Sequence, residues 1–151
     1  MMSDATNQQA GGLSISSPFT NDIGIQIVHA KDGNSEIVLP LVERHLNTWN
    51  VAHGGVTMTL ADTALGLAAR SLTDGGCVTV ELKVNFMQPG HGELRAFGHV
   101  MHRSSTMAYC EGEVRDSAGN FVAKAIGTFK YLRGLAVGRE VRDQRPGNAP
   151  G

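Results

Sequence analysis

The sequence predicts an α+β domain in which an antiparallel sheet packs against one long helix. A single long helical segment, from about 55 to 72, lies among strand-like segments, most of which follow one another across short turns. Small residues dominate the helix, so a strongly curved sheet could approach it closely. We therefore expect five to six strands wrapped around one central helix.

The two ends of the chain differ in composition from the region between them. Residues 1–17 are rich in Ser, Gln, Asn and Gly, and residues 134–151 mix charged residues with Gly and Pro. We expect both to be flexible tails on a single domain of residues 18–133. A chain of 151 residues with 41% apolar content is sufficient for one such core.

Local signals justify the elements in order. SPFTNDIGI begins with a Ser-Pro helix start and predicts a short helix. GIQIVHA and SEIVLPL flank the turn KDGN and predict a hairpin. The long helix ends at the turn TDGG, and four predicted strands follow: 77–87, 93–103, 106–116 and 120–132. The turns HRSST and DSAGN join the last three strands.

Charge and composition exclude several classes of function. The net charge is −1 and the pI is near 6.6, so nothing draws the whole chain to nucleic acid or to an anionic membrane. No long apolar segment and no signal-peptide pattern is present, so we expect a soluble protein. Cys77 and Cys110 form neither a CxxC pair nor a repeated spacing, so the sequence indicates neither a metal site nor a disulfide framework. We therefore expect a reducing cytoplasm. The six histidines lack HxxxH or HxH spacing, so we expect no metal site.

A His-Gly-Gly turn at the start of the long helix suggests a site for acyl transfer. A helix N-terminus presents unpaired backbone N–H groups and a partial positive charge, and glycines let a ligand oxygen approach them. Gly54 and Gly55 could thus stabilise the oxyanion of a tetrahedral intermediate. An ordinary glycine turn before a helix is the competing interpretation. In that case His53 caps the turn through a backbone hydrogen bond.

Asp62 is the acidic residue of this otherwise uncharged helical segment. No Lys, Arg or Glu occurs from 56 to 69, so Asp62 has no charged partner within its own helix. Eight residues separate it from Gly54, which is about 12 Å of helix. Asp62 therefore cannot serve a substrate bound at its own Gly54, but two paired copies could bring the groups together. The sequence thus predicts a homodimer, which would also cover the sheet edges.

Four stretches carry a resemblance to a known family: PFTNDIGIQI, HLNTWNVAHGGVTMTLADTALG, VTVELKVNFMQPGHGEL and DSAGNFVAKAIGTFKYL. Over roughly residues 18–132 the chain resembles the hotdog-fold acyl-CoA thioesterases of the phenylacetate-pathway type, close to the thioesterase superfamily member group. The resemblance implies a hotdog fold and hydrolysis of an acyl-CoA thioester. It also implies dimers that commonly pair into tetramers, and no cofactor, since coenzyme A is part of the substrate.

The resemblance implies a role for each matching residue. Asp62 matches the catalytic acid, which acts as nucleophile or as general base toward water, and Gly54 matches the oxyanion-hole glycine. Asn47 and Thr79 match residues that orient the substrate or the attacking water. His53 orders the loop or contacts the thioester region.

Two departures from the family pattern stand beside these matches. Relatives usually have glycine where this chain has Asn50, and we expect the turn to be kept because Asn tolerates left-handed backbone. The turn HRSST lacks the Gly-Lys or Gly-Arg pair that contacts phosphate in relatives. Arg103 and Ser104 are the candidates for that contact, and Gly55 is a further candidate for substrate binding.

Two other classes of function remain open. A hydratase or dehydratase of this fold would carry a D-x-N-P-x-H-like motif, which is absent from the sequence. A non-catalytic acyl-CoA binding protein would not need Asp62. The pattern leaves the acyl group itself undetermined.

Overall fold

The computed structural model describes residues 8–10, 13–15 and 17–133. The described helices are α1 (Pro18–Ile23), a 3-10 helix (Glu43–His45) and α2 (Gly54–Arg70). The described strands are β1 (Gln8–Ala10), β2 (Leu13–Ile15), β3 (Gln26–Lys31), β4 (Asn34–Pro40), β5 (Gly76–Phe86), β6 (Glu93–Arg103), β7 (Met107–Asp116) and β8 (Phe121–Leu132). The expected tail of residues 134–151 lies outside the described residues.

Six of these strands form one antiparallel sheet in the order β3-β4-β6-β7-β8-β5. The sheet curves around α2, which contacts every strand of it. This is the α+β hotdog fold, so the predicted fold class is confirmed. Among the described helices, none has both the length and the apolar character needed to cross a membrane.

Small residues let the sheet approach α2 closely. Ala64 and Ala68 of the helix are fully buried. A Cβ atom at Gly98 of β6 would lie 2.4 Å from the Ala64 carbonyl oxygen, and one at Gly112 of β7 would lie 2.5 Å from a Leu65 methyl carbon. Either addition would force the two layers apart. The close helix-to-sheet contact expected from the composition is therefore confirmed.

Two turns form as their residues predict. Asp32 and Gly33 have φ angles of +52° and +77°, which is the left-handed pair that joins β3 to β4. In the turn between β7 and β8, the Asp116 carboxylate accepts hydrogen bonds from the backbone N–H groups of Ala118 and Asn120. Gly119 has a φ of +81° in the same turn.

Three features differ from the sequence prediction or were absent from it. The expected tail of residues 1–17 contains a short antiparallel pair, β1 with β2. The 3-10 helix before the His-Gly-Gly turn was not predicted. Strand β5 pairs with β8, while β4 pairs with β6. These are pairings between strands distant in sequence, which local turn signals do not specify.

Candidate active site

The first turn of α2 leaves one backbone amide available. His53 is the N-cap, and its Nδ1 accepts a hydrogen bond from the Gly55 N–H at 2.9 Å. The expected capping role of His53 is therefore confirmed, and the ring proton resides on Nε2. No acceptor in the described part of the chain bonds the Gly54 N–H. Gly54 is half-buried, so this N–H is the unsatisfied donor of the turn.

The loop before α2 is organised by Asn47. Its side-chain oxygen accepts hydrogen bonds from the backbone N–H groups of Trp49 and Val51, at 2.9 and 3.3 Å. Asn50 adopts a φ of +59°, so the left-handed turn expected at this position is confirmed. The loop thereby brings the chain to His53 in an extended conformation. A role for Asn47 toward substrate stays a prediction.

Asp62 and Thr79 meet across the boundary between α2 and β5. The Thr79 hydroxyl donates a hydrogen bond to Oδ1 of Asp62 at 2.7 Å. Asp62 is half-buried and forms no ion pair with any described residue. The second carboxylate oxygen has no hydrogen-bond donor in the described part of the chain. It is therefore available to a water molecule or a substrate.

A cavity of about 490 Å³ opens beside this carboxylate. Its wall comes from α1, β3, α2, β5 and β8 and is mainly apolar. The large apolar residues of the wall are Phe19, Ile25, Ile27, Met58, Leu67, Leu82 and Phe129. An ionisable carboxylate in the wall of an apolar cavity suits a substrate with a reactive polar group and a hydrophobic chain.

The predicted catalytic residues fall into two groups within one chain. Asp62 and Thr79 line the apolar cavity, whereas Asn47 and His53 line a separate groove of about 620 Å³. Gly54 is close to the second group, about 12 Å along the helix from Asp62. A single chain therefore does not bring all five residues to one substrate. This agrees with the separation expected from helix length.

The turn between β6 and β7 holds the other two predicted binding residues. One terminal nitrogen of Arg103 donates to the Leu72 carbonyl oxygen at 2.6 Å, and the guanidinium lies over the Tyr131 ring. The Ser104 hydroxyl accepts from the N–H groups of Thr106 and Met107. These contacts place both residues at the C-terminal end of α2, and contact with phosphate stays a prediction.

Neither cysteine is prepared to act as a nucleophile. Burial raises the pKa of the Cys77 thiol to about 11, and the Asp62 charge adds to this while Arg70 opposes it. Burial likewise raises the pKa of Cys110 to about 12. Both thiols are therefore protonated at neutral pH. The expectation that Cys110 is a core residue is confirmed, since its side chain is fully buried.

The sequence analysis missed one charged residue of the cavity wall. Arg70 lies two turns beyond Asp62 on α2 and lines the same cavity. The signal was available, because residues four apart share a helix face and Asp62, Gly66 and Arg70 follow that spacing.

Among the described residues, no group of three His, Cys, Asp or Glu side chains could hold a metal ion.

A comparison with protein families matches residues 50–123 to the thioesterase superfamily. Among curated proteins, a "Putative esterase" of Saccharolobus solfataricus is 34% identical over 113 residues, which is 74% of this chain and 81% of that protein. The region matched by the family comparison includes both the His-Gly-Gly turn and Asp62.

Solved structures agree with these matches. A conserved protein of Pseudomonas aeruginosa is 34% identical, with a TM-score of 0.73 over 77% of this chain and 94% of that chain. The phenylacetic acid degradation protein PaaI of Thermus thermophilus, in a mutant form, is 28% identical with a TM-score of 0.71. That alignment covers 77% of this chain and all of the other.

Proposed function

The chain belongs to the thioesterase superfamily, and from that premise we propose that it hydrolyses acyl-CoA thioesters to the free acid and coenzyme A. The observation that carries the proposal is the Asp62 carboxylate, which accepts a hydrogen bond from the Thr79 hydroxyl and lines an apolar cavity. The cavity accepts the acyl chain, and the thioester carbon lies beside the carboxylate.

The reaction needs the ionised form of Asp62. Acting as a base, the carboxylate takes a proton from water while the water oxygen bonds to the thioester carbon. Acting as a nucleophile, it forms an anhydride that water then cleaves. In both routes the carbon–sulfur bond breaks, the sulfur leaves with its electron pair and takes up a proton, and the acid is released. The proposed reaction uses no metal and no cofactor apart from the CoA of the substrate.

The oxyanion of the intermediate is assigned to Gly54 of a second copy of the chain. The Gly54 N–H has no acceptor among the described residues and lies at the positive end of α2. A donor of this kind contributes about 3 kcal/mol to the transition state. Since Gly54 and Asp62 of one chain are about 12 Å apart, the complete site needs both copies. Asn47 and His53 would then orient the substrate from the same side as Gly54.

An exposed sheet edge supports pairing of two chains. Strand β5 is the last strand of the sheet and pairs with β8 on one side only, within the described part of the chain. Val78 and Val80 on this edge are 44% and 56% exposed. A long apolar edge strand is a template for another strand. We place the homodimer contact along β5, with pairs of dimers forming a tetramer.

Other details of the proposal follow from this arrangement. Arg103 is the candidate for binding the CoA phosphates, and Ser104 lies beside it in the same turn. Gly55, at the start of α2, is the further candidate for substrate binding. The free thiols of Cys77 and Cys110 are compatible with a reducing cytoplasm.

Thiol release from a panel of acyl-CoA esters tests the proposal. The panel contains phenylacetyl, benzoyl, hydroxybenzoyl, hexanoyl and palmitoyl esters. We expect turnover of at least one member and a loss of about a hundredfold or more in Asp62→Asn, which removes the base without changing the side-chain volume. The matched control is Asp32→Asn in the β3–β4 turn, which should retain activity. Binding without turnover would instead identify a non-catalytic acyl-CoA binding protein.

A further inference from the structure

Arg70 differs from the other arginines that the structure describes. Each of the others donates a hydrogen bond to a carboxylate or a carbonyl oxygen: Arg44, Arg95, Arg103, Arg115 and Arg133. Arg70 has no such partner among the described residues. Arg70 is half-buried, and burial lowers its pKa, an effect that only the ionised form of the Cys77 thiol would oppose. A partly desolvated cation without an acceptor is destabilising unless a ligand supplies one.

The position of Arg70 relates it to the proposed chemistry. Asp62, Gly66 and Arg70 are spaced by four residues, so they share one face of α2, and all three line the apolar cavity. Arg70 lies eight positions after Asp62, which corresponds to about 12 Å of helix. Gly66 between them has no side chain, and the Phe129 ring packs over it, 3.3 Å from where a Cβ atom would lie. A chain that runs from the carboxylate to the guanidinium therefore passes beside this ring.

Within the described part of the chain, no other charged residue lines this cavity. Its described wall contains Asp62 and Arg70 as the two charged side chains, together with apolar and uncharged polar residues. The Cys77 thiol beside Arg70 is protonated at neutral pH because burial raises its pKa to about 11. It therefore supplies no negative charge to Arg70.

Helix electrostatics explain only part of this arrangement. A cation in the last turn of a helix interacts favourably with the carbonyl groups there, and Arg70 occupies that turn. A solvent-facing position would provide the same benefit without desolvation. Helix electrostatics therefore do not explain why the residue borders the apolar cavity.

We propose that Arg70 binds an anionic group at the far end of the acyl chain, so that the preferred substrates are CoA esters of medium-length dicarboxylic acids. The inference rests on the proposed thioesterase function and names its substrate class. A planar guanidinium can donate two parallel hydrogen bonds to a carboxylate. The separation of Arg70 from Asp62 sets the chain length, because a short dicarboxylic chain would place its carboxylate beside Asp62.

Matched substrate pairs test the proposal directly. The pairs are adipyl with hexanoyl, suberyl with octanoyl and sebacyl with decanoyl CoA, and kcat/KM is measured for each. We expect the ester with the terminal carboxylate to be preferred about tenfold or more at the best length, the effect of a charge-assisted hydrogen bond. Malonyl-CoA should be a poorer substrate than propionyl-CoA.

Variants of Arg70 assign the preference to its side chain. In Arg70→Gln the ratio of kcat/KM within the best pair should fall to about one, because a neutral amide replaces the cation. Arg70→Lys keeps the charge and the favourable helix-end interaction and should retain part of the preference. The matched control is Lys31→Gln, which removes an exposed cation of β3 and should leave the ratio unchanged. Circular dichroism verifies folding, and the Lys variant provides the test should the Gln variant not fold.

The outcomes separate this inference from the proposed function. Hydrolysis of both series without preference for a terminal carboxylate would overturn the role of Arg70 and leave the thioesterase proposal standing. An unchanged preference in Arg70→Gln would do the same. Hydrolysis of neither series would overturn this inference, and the proposed function falls with it only if the aryl esters of the first panel are not hydrolysed either.

Discussion

The Gly54 amide and the Asp62 carboxylate are the two groups on which the proposed reaction depends, and their local surroundings differ. Gly54 presents an N–H without an acceptor in the described part of the chain, while the neighbouring Gly55 N–H is taken by His53. Asp62 receives one hydrogen bond, from Thr79, and keeps its other oxygen available. Within the described part of the chain, the Gly54 N–H therefore lacks an acceptor and one Asp62 oxygen lacks a donor.

Substituting Gly54 tests the role of its amide without removing the helix. Gly54→Pro deletes the N–H, yet proline is well tolerated at the first position of a helix. The preceding His53 has φ −62° and ψ 136°, an extended conformation that also suits a following proline. We expect kcat for the best acyl-CoA ester to fall by about 10²–10³ while circular dichroism stays unchanged.

The control for this change keeps the amide. In Gly54→Ala the added Cβ would lie 3.6 Å from the Phe86 ring, an ordinary contact, so most of the activity should remain. Equal losses in the Ala and Pro variants would mean that the side-chain volume, and not the amide, matters at this position.

The sequence could predict some of these residue details and not others. The capping by His53 followed from ordinary turn chemistry, while the left-handed Asn50 followed from the family resemblance and the tolerance of Asn for that backbone. Both are confirmed. The pairing of Asp62 with Thr79 joins residues seventeen apart on different elements, and no local pattern specifies it. Only the family resemblance placed both in one site. Arg70 was missed because a cation in the last helical turn has an ordinary explanation.

Among the elements, the turn between β7 and β8 depends on one buried carboxylate. Asp116 accepts hydrogen bonds from the side chain and backbone of Asn120 and from the backbone N–H groups of His91 and Ala118. Burial raises the pKa of this carboxyl, but these hydrogen bonds outweigh burial and hold the pKa below its ordinary value. The ionised carboxylate therefore stabilises the folded turn.

Substituting Asp116 should reveal this stabilisation and its pH dependence. We expect Asp116→Ala to lower the free energy of unfolding at pH 7 by about 1–3 kcal/mol, because it leaves partly buried donors without an acceptor. Since the folded pKa is lowered, the contribution of the charge is full above pH about 4 and is lost as the pH falls through the folded pKa. Urea unfolding at pH 7 and pH 3, at fixed protein concentration, measures both effects.

The conservative variant separates the charge from the hydrogen bonds. Asp116→Asn keeps one acceptor oxygen but has no charge, so its deficit relative to the unaltered protein should be smaller than that of the Ala variant and should shrink at pH 3. A deficit that is as large at pH 3 as at pH 7 would contradict an ionised carboxylate in the turn.

Local signals predicted the elements well for a physical reason. Residues such as Asp32 and Gly33 determine a turn through their own backbone preferences, and the flanking strands then pair as neighbours. The pairing of β5 with β8 has no such signal, because it depends on how the whole sheet closes around α2. The order of the sheet was therefore beyond the sequence, although its strands were predicted.

At the scale of the whole molecule, the account requires two chains. The helix keeps Gly54 and Asp62 about 12 Å apart within one chain, and the exposed β5 edge offers a surface for a second. In a two-fold dimer, Gly54 of each chain would lie close to Asp62 of the other chain, which forms two equivalent sites. The amino-acid pattern predicted this need for pairing, but the edge proposed for the contact could be identified only from the position of β5 in the sheet.

The most direct test of the account is complementation between two inactive variants. Asp62→Asn and Gly54→Pro are each expected to be inactive alone. If each site takes Gly54 from one chain and Asp62 from the other, a mixed dimer contains one intact site. Random mixing of equal amounts should then restore about a quarter of the unaltered activity. The measurement is thiol release by the two variants co-expressed in equal amounts and purified as one unselected population, compared with each variant alone. Activity restored to that level is the result the account predicts, and a mixed protein no more active than its parents would contradict a site shared between two chains.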